Sequence, residues 1–123
     1  MKKSNNLILG KSGEDSALNF LNSLGYKIIT RNFHSQFGEI DIIALDNDIL
    51  VFLEVKTRSS NLNSALNSIS VSKQKKLSKT ASLFLSKNPQ YEDSFTRFDV
   101  IIILKKHTSE KIKHLKDAFT PVF

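Results

Sequence analysis

A chain of 123 residues with 40% hydrophobic content carries enough apolar side chains for one core and too few for two, so a single domain over residues 1–123 is expected. The absence of cysteine excludes disulfide staples, thiolate zinc sites and cysteine nucleophiles. The net charge of +6 favours an anionic partner, no segment approaches the length of a bilayer span, and Leu7-Ile8-Leu9 behind Lys2 and Lys3 is shorter than a secretory core of about 7 to 15 residues, which makes the cytoplasm the expected location.

Residues Met1 to Gly10 read as a loosely held start. From Gly13 to Leu24 the spacing is helical: Glu14, Ala17, Leu18 and Leu21 share one face, while Asp15, Asn19 and Asn22 point elsewhere. Ser12 is the candidate N-cap and Gly25 the residue that ends the helix. Tyr26 to Phe33 reads as a strand, followed by His34-Ser35-Gln36, whose histidine reads as a surface residue. The stretch from Gly38 to Arg58 then forms two strands, Glu39 to Leu45 and Ile49 to Thr57, joined by the turn chemistry of Asp46-Asn47-Asp48. Along the second strand Leu50, Phe52, Glu54 and Lys56 share one face and Ile49, Val51, Leu53 and Val55 the other. Both faces are largely apolar, as in a strand covered on both sides.

After Arg58 the chain turns Ser/Asn-rich, and poor helix formers there predict a short helix at most, serving as a lid or a plain connector. Val71 to Lys87 is a firmer helix with Gln74, Leu77, Ala81 and Phe84 on one face. Lys75, Lys76 and Lys79 fall largely off that face and read as solvated, with a stripe facing a nucleic-acid duplex as the second reading. Pro89 stops the helix, and Phe95 to Leu104 is a strand whose Val100 to Leu104 run is apolar on both faces and therefore central. Ile112 to Leu115 fits either a short edge strand or a helical turn, and Phe119 anchors the C-terminal stretch.

Asp41, Glu54 and Lys56 stand inside the apolar strands. A carboxylate taken out of water without a partner is costly, so their burial requires a reason. An internal ion pair of Asp41 or Glu54 with Lys56 or Arg58 is the ordinary one. A divalent cation held by Asp41 and Glu54, with Lys56 beside it to meet an anionic substrate, is the other, because hard cations take carboxylate, carbonyl and water oxygens. Arginine is scarce: 15 of the 18 basic residues are lysine, and Arg31, Arg58 and Arg97 each stand at or beside a strand end. The guanidinium fork suits phosphate or carboxylate. Arg58, Arg31 and Lys73 are the candidate nucleic-acid contacts, whereas Arg97 reads as a structural partner of Glu39, Asp41 or Asp99, and Asp99 as a partner of Arg97 or Lys105 or as a further carboxylate at the site. For Glu39 the expected partner is Arg31 or Arg58.

Asp41 on one strand and Glu54-Val55-Lys56 on the next resemble the PD-(D/E)XK nuclease signature. A longer set of strings resembles the YraN family: G-E-D-x-A at Gly13 to Ala17, Gly25-Tyr26, Arg31-Asn32, G-E-I-D-I-I-A at Gly38 to Ala44, V-F-L-E-V-K-T-R at Val51 to Arg58, R-F-D-V at Arg97 to Val100 and K-D-A-F at Lys116 to Phe119. That family is placed with restriction-endonuclease-like and Holliday-junction-resolvase-like folds, and the likeness runs from about Gly10 to Phe119. The resemblance implies an α/β fold, a mixed central sheet flanked by helices with an αβββαβ core. It implies a Mg²⁺ or Mn²⁺ site of Asp41, Glu54 and the Val55 carbonyl, with Glu14 as accessory ligand through water. Lys56 would orient the nucleophile or neutralise charge on the phosphate, and Gln74 would position water or Lys56. The implied reaction is phosphodiester hydrolysis in nucleic acid, DNA favoured, branched or structured DNA included, by a protein that could act as a homodimer. A non-catalytic nucleic-acid-binding or scaffold module on the same fold is the alternative, since a resemblance carries a fold more securely than an activity. A third reading makes the hairpin charges a purely structural ion-pair cluster.

Overall fold

Two helices cover opposite faces of a five-stranded sheet in the computed structural model, which describes residues 2–59 and 69–121, with side chains from residue 12 onward. The order is α1 (Lys2–Ser23), β1 (Lys27–Ser35), β2 (Gly38–Asp46), β3 (Ile49–Arg58), α2 (Val71–Lys87), a 3-10 turn (Pro89–Tyr91), β4 (Thr96–Lys106) and β5 (Ser109–Phe119). The strands lie in the spatial order β1-β2-β3-β4-β5; β3 and β4 run parallel and the other neighbours antiparallel. This is a mixed sheet consistent with a restriction-endonuclease-like core, extended by β5. No helix among the described residues is long and apolar enough to cross a membrane.

The expected loose start is helical instead: α1 begins at Lys2, so Ser12 lies inside the helix and is not its N-cap. Its hydroxyl oxygen accepts a hydrogen bond from Lys105 Nζ at 3.2 Å. At the other end the expectation holds. Gly25 takes φ +88°, the Tyr26 N–H reaches the Leu21 carbonyl at 3.0 Å and the Gly25 N–H reaches that of Asn22 at 3.0 Å, the bond pair of a Schellman stop. The β2–β3 turn narrows to Asn47 and Asp48 between the partners Asp46 and Ile49, with Asn47 at φ 53°, a left-handed conformation that asparagine tolerates well. Ser70 caps α2 through its hydroxyl, which accepts from the Lys73 N–H at 3.1 Å. Residues 60–68, where the short helix or lid was expected, lie outside the described residues.

The alternation in β3 divides the core as expected. Val51 and Leu53 pack with Ala17 and Leu21 of α1, and with Ile101 and Ile103 of β4. Leu50 and Phe52 pack with Leu77, Ala81 and Phe84 of α2. Phe119 stacks on Phe98 at 4.6 Å between ring centroids and so holds the end of β5, the ambiguous last segment, as an edge strand. Lys75, Lys76 and Lys79 are exposed, as a solvated face requires.

Gly13 sets how closely α1 approaches the sheet. A Cβ at this position would stand 2.1 Å from Thr57 Oγ1 and 3.4 Å from Thr57 Cβ. Gly13→Ala gains roughly 1 kcal/mol of helix propensity but must push aside a packed hydroxyl, an overpacking cost of roughly 1–3 kcal/mol. A net loss of about 1 kcal/mol is expected in urea melts, and Thr57→Ala in the same chain should reverse it. Equal losses with and without Thr57→Ala would show that the contact is not what fixes α1.

A polar network closes the end of the sheet where α1 leads into β1. Asp99 is 1% exposed and accepts from Arg97 Nε at 2.8 Å, Arg97 NH2 at 2.9 Å and the Asp117 N–H at 2.9 Å; His114 Nε2 lies 2.8 Å from its Oδ2. Arg97 also donates to Asp46 at 3.2 Å and to the Tyr26 hydroxyl at 2.9 Å. Burial opposes ionisation of Asp99, but the bonds from His114, Arg97 and the Asp117 N–H outweigh it and hold the carboxyl below its ordinary range. Arg97 is thus the structural partner of Asp99, as its sequence position suggested.

Candidate functional site

The β2–β3 ladder runs from Asp46 opposite Ile49 to Ile42 opposite Leu53 and stops there. Beyond Leu53, β3 continues to Arg58 paired with β4. The two strands of the hairpin therefore part at Asp41 and Glu54. The Val55 N–H, with no β2 backbone opposite it, donates to Asp41 Oδ2 at 2.7 Å. In a strand the N–H and C=O of one residue point to the same side, so the Val55 carbonyl is turned into the gap as well.

A cleft of about 510 Å³ opens at this parting, lined by Glu14, Asp41, Glu54, Val55, Lys56, Thr57, Arg58, Ser59, Lys73 and Lys105. Groups from both faces of the sheet meet in it, Glu14 from α1 and Lys73 from α2. Glu54 forms an ion pair with Lys73, Nζ to Oε1 2.6 Å, and its side chain is 12% exposed. Lys56 is 5% exposed. Glu14 receives Arg31 NH2 at 3.5 Å, and the Asn32 amide, oriented to donate, reaches Glu14 Oε1 at 3.0 Å and Glu39 Oε1 at 2.9 Å.

These surroundings shift two groups in opposite directions. Burial pushes the Asp41 carboxyl up to about 7 against the bond from the Val55 N–H, and the neighbouring charges of Glu54, Glu14 and Glu39 push it further. Burial lowers the Lys56 ammonium below its ordinary range, Lys73 and Arg58 add to that, and Glu54 and Asp41 oppose it. A carboxyl that resists ionisation beside three other carboxylates is where a cation would relieve the most repulsion.

Among the described residues no three histidine, cysteine or acidic side chains are gathered tightly enough to form a metal cage by themselves. The donor set still suits magnesium, which commonly takes one or two carboxylates and fills its shell with water and phosphate. Asp41 and Glu54 would be those carboxylates.

The structure brings Glu14, Asp41, Glu54, Val55, Lys56, Arg58 and Lys73 to one cleft. It does not bring Gln74 or Arg31 there. Gln74 borders a separate cavity of about 390 Å³ with Val100, Leu115 and Phe119, and its Nε2 donates to the Ile69 carbonyl at 3.3 Å. Arg31 turns back onto α1, reaching Asp15 at 3.1 Å as well as Glu14. Arg58 NH1 donates to the Thr57 carbonyl at 2.9 Å. Glu54 pairs with Lys73 of the next helix, a partner that the sequence did not point to. Glu39 faces His34 at 3.7 Å rather than an arginine, and that histidine is 72% exposed, as expected of a surface residue.

Lys105 is a cleft residue that the sequence reading missed. The signal was there: with β4 central and parallel to β3, Leu104 falls beside Arg58, and the next residue arrives at the mouth of the cleft.

Comparison with known proteins agrees with the sequence resemblance. The family model described as "Uncharacterised protein family UPF0102", the YraN family, matches residues 13–103. The chain belongs to this family. A UPF0102 protein of Geotalea daltonii is 44% identical over 120 residues, covering 95% of this chain and 93% of its own length. Another from Caldanaerobacter subterraneus is 38% identical over 122 residues, covering 97% and 100%. A third, from Acinetobacter baylyi, is 48% identical over 94 residues, covering 76% and 67%. The matched span of UPF0102 begins at Gly13 and contains all the cleft residues, from Glu14 to Lys73, except Lys105.

Proposed function

We propose that this UPF0102 protein is a metal-dependent endonuclease that hydrolyses phosphodiester bonds in nucleic acid, with DNA as the favoured substrate and Mg²⁺ or Mn²⁺ as cofactor. One observation carries the reading: Asp41 and Glu54 meet four cationic side chains, Lys56, Arg58, Lys73 and Lys105, in a cleft at the parting of two strands. Carboxylates supply ligands for a hard cation, and ammonium and guanidinium groups supply partners for phosphate.

In this reading Asp41 and Glu54, with the Val55 carbonyl, hold the cation, and Glu14 stands by as a further acceptor. A divalent ion there would acidify water and draw charge from a scissile phosphate. Lys56 is fixed by burial beside both carboxylates, so its ammonium can sit against charge growing on phosphate oxygens without reorganising. Arg58 and Lys105 at the mouth would hold flanking phosphates.

The test is a Mn²⁺ titration paired with cleavage of linear and branched DNA. Glu54→Gln is expected to weaken Mn²⁺ binding by at least about tenfold and to lose cleavage in step. Cleavage that survives both Glu54→Gln and Asp41→Asn would come from a contaminant and end the proposal. The Glu54–Lys73 ion pair favours one other reading, a binding module in which that lysine makes a cation unnecessary. Such a module would bind DNA with steep salt dependence and indifference to Mn²⁺.

A further inference from the structure

Lys73 occupies a position that the stability of its own helix does not explain. It lies in the first turn of α2, where Ser70 caps its N–H and no acidic residue is present. The first turn of a helix carries partial positive charge, so a lysine there is electrostatically unfavourable by a few tenths of a kcal/mol up to about 1 kcal/mol. What holds it is Glu54, at 2.6 Å.

Two of the three lysines that line the cleft, Lys56 and Lys73, differ in freedom. Lys56 is 5% exposed and enclosed. Lys73 has a side chain 42% exposed, so its ammonium can leave Glu54 for water without passing through the core. Glu54, 12% exposed, cannot follow and needs a counter-charge from within the cleft.

We propose that Lys73 is a displaceable counter-ion: it neutralises Glu54 in the free protein, gives way to the divalent cation, and then meets a phosphate of the nucleic acid at the cleft mouth. The proposal rests on the nuclease reading above. It makes Lys73 a positioning residue that links the two ligands. While it is paired, cation and ammonium compete for one carboxylate; once released, the same ammonium adds to phosphate affinity. Each ligand therefore strengthens the other, and by linkage the effect is reciprocal.

The experiment uses the full chain with Mn²⁺ alone, followed by free-ion electron paramagnetic resonance, and a fluorescein-labelled DNA duplex in Ca²⁺, followed by anisotropy. Lys73→Gln is expected to bind Mn²⁺ several-fold to about tenfold more tightly than wild type and the duplex several-fold more weakly. Lys73→Arg, which keeps the charge, should bind Mn²⁺ no more tightly than wild type. If Asp41→Asn and Glu54→Gln lose Mn²⁺ while Lys73→Gln leaves it unchanged or weakened, the counter-ion proposal is overturned and the nuclease reading stands. Tighter Mn²⁺ with unaltered duplex affinity also overturns it, because the released ammonium then meets no phosphate. If neither wild type nor Lys73→Gln binds Mn²⁺, the nuclease reading fails and takes the proposal with it.

Discussion

Arg97→Met should be the most destabilising single change near the polar end of the sheet, costing about 3–5 kcal/mol, or roughly 10–20 °C in melting temperature for a domain of this size. The reason is geometric. Asp99 is 1% exposed, and Arg97 grips both of its carboxylate oxygens while reaching Asp46 at the end of β2 and Tyr26 just before β1. Methionine fills similar space but leaves a buried charge with only His114 and the Asp117 N–H. A charge stripped of its partner is worse than no charge, so adding Asp99→Asn to Arg97→Met should recover part of the loss. The pH dependence gives a second handle. Because Asp99 is held below its ordinary range, it contributes stability that is present above the unfolded carboxyl value and lost as pH falls through the folded one. The wild-type advantage over the Asp99→Asn chain should therefore shrink on acidification. A melting temperature for Arg97→Met within about 2 °C of wild type would show that the network is ornamental to stability.

How far the sequence revealed this molecule depends on the range of the interaction involved. Period-two alternation in Ile49 to Val55 assigned each side chain to a face, and the structure packs those faces on α1 and α2 accordingly. Gly25 ended its helix where a left-handed residue was needed. The start of α1 was illegible because propensity argues against it: Ser, Asn and Gly crowd residues 2–13, and propensity is a weak prior on its own. The edge strand β5 was obscured for another reason. His114 sits among lysines and a glutamate and reads as surface, whereas its role is set by Asp99, one strand away. In the candidate site the residue types were legible and their partners were not. Alternation cannot show that a ladder stops at Ile42 and Leu53, yet that stop is what frees the Val55 N–H for Asp41. Nor can it show that Lys73, 19 residues on, reaches back to Glu54.

Asp41→Asn is the change that separates a cation site from an ion pair by the sign of its effect. The Asp41 carboxyl is raised from 3.8 to about 7, first by burial and then by Glu54, Glu14 and Glu39, with the Val55 N–H opposing. The folded chain therefore holds the proton more tightly than the unfolded one. Protonated Asp41 contributes stability that is fully present below pH 3.8 and is lost as pH rises through about 7. Asparagine keeps an oxygen for the Val55 N–H and never ionises. The variant should thus match wild type near pH 4 and exceed it by about 2–4 kcal/mol at pH 8, in the absence of divalent ions. Excess Mg²⁺ should close that gap by stabilising wild type alone, since only a ligand that favours the folded carboxylate can repay the repulsion. An Asp41 held in a structural pair with Lys56 or Arg58 predicts the reverse: the asparagine chain would lose stability at pH 8 and Mg²⁺ would change nothing. Chemical denaturation of both chains at the two pH values, with and without Mg²⁺, decides between them, because the two accounts differ in direction and not only in size.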